Sequence, residues 1–136
     1  MRDKNIESLG RMLRAINKIK KYCENQTLDM FLSNEMLMDA CAVNILTLGE
    51  EAKRINPDYR KQHPQINWKG LYELRNVIAH EYYSDDVDFE VFWDLIQNDL
   101  EPLKKQITNI LPPDNDPTLD DTNKDDNDDI GMLDRE

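Results

Sequence analysis

The segment Leu74-Arg75-Asn76-Val77-Ile78-Ala79-His80-Glu81-Tyr82-Tyr83 gathers a permanent cation, an amide, an imidazole and phenols within three helical turns. That set suits phosphodiester chemistry. An imidazole, with an ordinary pKa of about 6.5, can take a proton from a ribose 2′-hydroxyl or return one to a leaving oxygen. A guanidinium can hold the charge that builds on the phosphorus oxygens. Five residues rise roughly 7.5 Å along an α-helix, so Arg75 and His80 can address one phosphate from different sides, above all if the helix ends near His80. The spacing alone is weak evidence, because such pairs recur by chance. The same residues admit a structural role, with His80 at a helix C-terminus and Arg75 paired with a neighbouring acid.

Helices must position these groups. Residues 3–25 place Ile6, Leu9, Leu13 and Ile16 on one stripe, with Met12, Ile19 and Cys23 alongside. Asn25-Gln26-Thr27 breaks that pattern, and a short helical piece or loop with Leu28, Met30, Phe31 and Leu32 follows. A second helix is expected over 34–55, capped by Ser33 or Asn34 and apolar at Leu37, Cys41, Ile45, Leu48, Ala52 and Ile55. Asn56-Pro57 stops it, because a residue before proline avoids the helical region. Gly49 inside this helix costs about 1 kcal/mol relative to Ala, which points to the close approach of another helix. Residues 57–67 read as a polar connection with His63 as an exposed loop residue. A third helix, 68–80, holds Trp68, Leu71, Leu74, Val77 and Ile78. The fourth follows the carboxylates of Asp85, Asp86 and Asp88 and carries Phe89, Trp93, Ile96, Leu100, Leu103, Ile107 and Ile110. Pro102 predicts a kink or break near 98–102. There is no strand alternation, internal repeat or Gly-rich phosphate loop. The expected fold is all-α, an antiparallel up-down four-helix bundle with an additional short helix, spanning residues 1–111.

The net charge of −11 is unevenly spread. Residues 112–136 hold ten acidic and two basic residues, whereas residues 1–111 hold 18 and 15. The C-terminal stretch has too few large apolar residues to offset the entropy of ordering, so a disordered acidic tail is expected, either solubilising or mimicking nucleic acid. The first 21 residues are the opposite, with Arg2, Lys4, Arg11, Arg14, Lys18, Lys20 and Lys21 against Asp3 and Glu7. That basic helix suits phosphate contacts, an acidic partner or a plain solvated face. No stretch approaches the roughly 18–20 apolar residues of a membrane span, and the N-terminus lacks the apolar run of a secretory signal. Cys23 and Cys41 lack metal-ligand spacing. The expectation is a soluble cytoplasmic chain with two reduced, buried thiols, no metal and no cofactor.

Four separated segments then agree with one family. Leu48-Gly49-Glu50-Glu51-Ala52-Lys53-Arg54, His63-Pro64-Gln65-Ile66-Asn67-Trp68, the run from Leu74 to Tyr83, and Trp93 to Leu100 resemble the HepT family of HEPN-domain toxins in order and spacing. The likeness covers residues from about 35 to 110 and leaves out the acidic tail. It implies a HEPN-type helical bundle that dimerises, and a metal-independent ribonuclease motif falling on Arg75, His80 and Tyr82, with Asn76 as a supporting polar residue. It also implies a toxin–antitoxin pairing with a nucleotidyltransferase antitoxin of the MntA type, which modifies the motif tyrosine with AMP; here that acceptor is Tyr82. One His80 per chain cannot readily serve as base and acid together, so a homodimer with two motifs around one RNA phosphate fits the chemistry. The rival expectation is a non-catalytic helical binding module for a protein or nucleotide partner.

Overall fold

The computed structural model describes residues 3–84 and 86–112. Among them the chain forms seven α-helices and no strand: α1 (Lys4–Tyr22), α2 (Leu28–Leu32), α3 (Glu35–Arg54), α4 (Pro57–Gln62), α5 (Trp68–Glu81), α6 (Phe89–Asn98) and α7 (Leu100–Ile110). A 3-10 turn, Tyr82–Ser84, follows α5 directly. The first six helices each start on a short polar side chain (Asp3, Thr27, Asn34, Asn56, Asn67 and Asp88) that accepts from a backbone N–H of the first turn. Those N–H groups have no partner inside the helix, so the caps fix where each helix begins.

One expectation changes and another is met. Residues 57–67 are not only a connection, because Asn56 caps α4 and Pro57 opens it, where a missing N–H costs nothing. The break expected near 98–102 falls at Asp99, just ahead of Pro102, and divides the fourth expected helix into α6 and α7. The acidic tail expected over 112–136 lies, beyond Pro112, outside the described residues.

α3 is the central element, packed between α1 and α5, while α7 lies along α1 and α6 meets α2 and α7. The α3 stripe of Leu37, Cys41, Ile45, Leu48, Ala52 and Ile55 is buried throughout, as is Leu9–Leu13–Ile16–Ile19 on α1. Phe31 of α2 is fully enclosed against Trp93, with ring centroids 5.0 Å apart. This is a helical bundle with one core. α5 is shallowly buried: only Trp68 and Ile78 are buried, Leu71 and Leu74 are half-buried, and Val77 is exposed. The helix that carries the chemistry is held on one side, by α3. Among the described residues, no helix is long and apolar enough to cross a membrane.

Candidate functional site

Arg75 is set by the α3–α5 crossing. A Cβ added to Gly49 would lie 2.8 Å from Arg75 Cγ and 2.9 Å from the Leu71 carbonyl oxygen, so only glycine lets α5 come this close. The next residue, Glu50, forms an ion pair with Arg75 Nε, and Arg75 Nη1 donates to Asn76 Oδ1 at 3.2 Å. The guanidinium is therefore oriented from two sides while its side chain stays 35% exposed. A pair this open to water adds little stability, at most about 1 kcal/mol; what it supplies is orientation.

His80 occupies the last turn of α5 and is exposed. No group among the described residues hydrogen-bonds its imidazole. Five residues turn an α-helix by about 500°, so Arg75 and His80 leave α5 roughly 140° apart. Within one chain the guanidinium pairs with Glu50 of α3, and His80 is exposed.

Tyr82 turns back onto α3. Its hydroxyl donates to the Asp39 carboxylate, and its ring meets Phe89 edge-on at 5.7 Å. Burial pushes the phenol above its ordinary range, and the bond to Asp39 and the nearby Glu35 carboxylate push the same way. As it stands, the hydroxyl is neutral and occupied. Asp39 and Glu50 are the site residues that motif reading did not reach. Glu50 had a usable signal, since it follows a glycine that marks a helix crossing. Asp39 had none, lying 43 positions from Tyr82.

The basic first helix is less available than its composition suggests. Arg11 Nε pairs at 3.0 Å with the buried Glu51, which also takes Arg54 Nη1 at 3.3 Å, and Lys20 pairs with Glu101. Arg14 and Lys18 are engaged as well. His63 is half-buried rather than exposed: its ring lies 4.6 Å from that of Tyr59 and its carbonyl accepts from Trp68 Nε1. Cys23 and Cys41 are buried free thiols, as expected, yet adjacent, with 3.6 Å between sulfurs. The hydrogen-bonded neighbour Cys23 and then burial raise the Cys41 thiol above its usual range. Among the described residues, no three His, Cys, Asp or Glu side chains gather closely enough to hold a metal ion.

Comparison with known proteins supplies what geometry alone does not. Residues 12–110 match the family described as ribonuclease HepT-like. The chain belongs to the HepT-like ribonuclease family. It is 26% identical over 104 residues to the probable ribonuclease HepT of Thermococcus cleftensis, covering 76% of this chain and 93% of that one. A protein of Methanocaldococcus jannaschii named putative RNase is 26% identical over 96 residues, 71% of this chain and 86% of its own. A second M. jannaschii protein, named gamma-glutamylcyclotransferase and putative RNase, is 29% identical over 103 residues; the match covers 76% of this chain and 46% of that relative's length. No solved structure matches the chain.

Proposed function

We propose that this HepT-like chain is the toxin of a toxin–antitoxin pair: a HEPN-type four-helix bundle that works as a homodimer, cuts RNA without a metal ion, and is neutralised when a MntA-type nucleotidyltransferase adenylylates Tyr82. The observation that carries the reading is Arg75, held by Glu50 and Asn76 yet still open to solvent, one and a half turns before an exposed and unengaged His80. In the reaction His80 takes the proton of a ribose 2′-hydroxyl, and the 2′-oxygen attacks the adjacent phosphorus. Arg75 stabilises the non-bridging oxygens as charge builds there, with Asn76 keeping the guanidinium in place. The bond to the 5′-oxygen breaks, that oxygen gains a proton, and the products are a 2′,3′-cyclic phosphate and a 5′-hydroxyl. One imidazole cannot readily be both base and acid, and within one chain Arg75 and His80 diverge around the helix. A two-fold axis near α5 answers both difficulties, because the partner subunit's His80 can face this chain's Arg75 across one phosphate.

Tyr82 fits regulation better than catalysis. Its hydroxyl is taken by Asp39, so adenylylation needs that bond to open, after which the added phosphate brings bulk and negative charge two residues from His80. RNA is then repelled. The test is RNA cleavage in excess EDTA: the parent is expected to yield cyclic phosphate ends, and His80→Ala to lose activity by at least about a hundredfold, the scale of a lost general acid or base. Equal cleavage by His80→Ala removes His80 from the mechanism, whereas no cleavage by the parent leaves a non-catalytic binding module, for which the Arg75–Glu50 pair is ordinary surface structure. Intact mass after co-expression with the nucleotidyltransferase is expected to show added AMP on the parent and none on Tyr82→Phe.

A further inference from the structure

The cations of α1 are largely paired, whereas around the start of α5 Arg54 meets Glu51 and Lys69 meets Glu73 only at 3.8 Å. Residues 52–72 contain Lys53, Arg54, Arg60, Lys61 and Lys69 with Asp58 as the single acid, in a chain of net charge −11. There α4, the following loop and the first turn of α5 enclose an open groove of about 560 Å³, lined among others by Arg60, Lys61, Pro64, Asn67, Lys69 and Tyr72, with no carboxylate among its lining residues. Lys61 is exposed and has no ion pair among the described residues; the Lys69 side chain is 86% exposed, and its one neighbour, Glu73, stands 3.8 Å away. Arg60 caps the end of α3 through Ala52 and Lys53 carbonyls and lies 5.4 Å over the Tyr72 ring. The positive end of α5 points at the same groove.

Helix geometry ties this groove to the motif. Lys69, Asn76 and His80 fall within about 40° of one another around α5, and Tyr72 precedes Asn76 by one turn. From Lys69 to the midpoint between Arg75 and His80 is roughly 12 Å of helix, a span that one or two nucleotides of single strand cover. We infer that this groove is a substrate subsite, binding the phosphates and one base of single-stranded RNA on one flank of the linkage that Arg75 and His80 cut. Lys61 and Lys69 meet backbone phosphates, and the Tyr72 ring with Arg60 offers a flat cationic face on which a base can stack. The inference rests on the ribonuclease reading and adds where the strand runs.

The full chain serves for the test, with Lys61→Glu/Lys69→Glu as the variant; both side chains are exposed, and thermal unfolding confirms that the fold is kept. Kinetics are compared on a dinucleotide and on a single strand of about ten nucleotides, long enough to fill such a site. The expected result is a KM for the longer strand raised about tenfold, kcat within about twofold, dinucleotide cleavage unchanged, and a log–log salt slope shallower by about 1.4, roughly 0.7 per lost phosphate contact. Lys61→Arg/Lys69→Arg is expected to behave as the parent. Fluorescence anisotropy with a 2′-deoxy strand, which cannot be cut, reports the same loss of affinity without relying on catalysis. Unchanged binding of that strand by the Glu variant overturns the subsite, even where His80→Ala is inactive and the ribonuclease reading stands. Loss on the dinucleotide and the longer strand by one common factor overturns it too, since that marks damage at the reacting centre. If the parent does not cut RNA, the ribonuclease reading falls, and the groove is judged by anisotropy alone.

Discussion

Arg75 reaches Glu50 through Nε and Asn76 through Nη1, so two of its three nitrogens are committed before any phosphate arrives, and nothing among the described residues engages Nη2. A guanidinium fixed in this way loses little freedom when substrate binds, which is how a surface ion pair of small stability can matter for rate. Glu50→Gln keeps an acceptor for Nε but removes the charge that holds it. The expectation is a kcat on RNA lower by about tenfold, the scale of a misplaced positioning group, with a thermal midpoint within about 3 °C of the parent, since an exposed pair is worth at most about 1 kcal/mol. A large fall in the midpoint with unchanged kcat would make Glu50 a scaffold residue instead. At this scale the residue types around Arg75 and His80 were legible, because guanidinium and imidazole announce their chemistry whatever surrounds them. Asp39 was not, since its hold on Tyr82 depends on how a turn after α5 folds back on α3.

Glycine at position 49 governs the α3–α5 crossing. A methyl group at Gly49 would press on the Leu71 carbonyl and on Arg75 Cβ, neither of which can move without shifting α5. Gly10 on α1 is the control, for a Cβ there meets nothing within 4 Å. Gly10→Ala is therefore expected to stabilise by up to about 1 kcal/mol through helix propensity, whereas Gly49→Ala is expected to destabilise by about 1–2 kcal/mol despite the same propensity gain. Thermal unfolding distinguishes them by opposite shifts of the midpoint, and a stabilised Gly49→Ala would refute the crossing. The internal glycine was readable as a helix approach because its cost within a helix asks for a return. α4 was harder to see: it spans Pro57–Gln62, buries no residue, and so leaves no apolar repeat. Its only trace was the asparagine cap followed by proline, which signals a helix start as well as a helix stop. The break at Asp99 was legible through Pro102, which sits in the first turn of α7, even though the apolar stripe through 89–110 keeps its spacing across it.

Across the whole molecule, which helix packs on which could not be read from spacing, because α1, α3, α6 and α7 offer similar apolar stripes and only side-chain fit pairs them. Charge, by contrast, was fully countable, and it bears on RNA binding. Leu111, just past α7, is buried in the core, and truncation after it removes the acidic segment while keeping every buried residue among the described ones. The net charge then falls from −11 to −3, while the cations at the start of α5 are untouched. Repulsion between that segment and RNA acts over a Debye length of about 10 Å at 0.1 M salt and about 3 Å at 1 M. The truncated chain is therefore expected to bind single-stranded RNA more tightly at low salt, with faster association, and the two chains are expected to converge as salt rises. Thermal stability is expected to be unchanged, since every core residue among the described residues is kept. Stopped-flow association at several salt concentrations measures this directly. Identical rates at every concentration would show that the acidic segment does not repel RNA, whereas a difference that persists at 1 M salt would mean that it occupies the RNA surface through contacts other than charge.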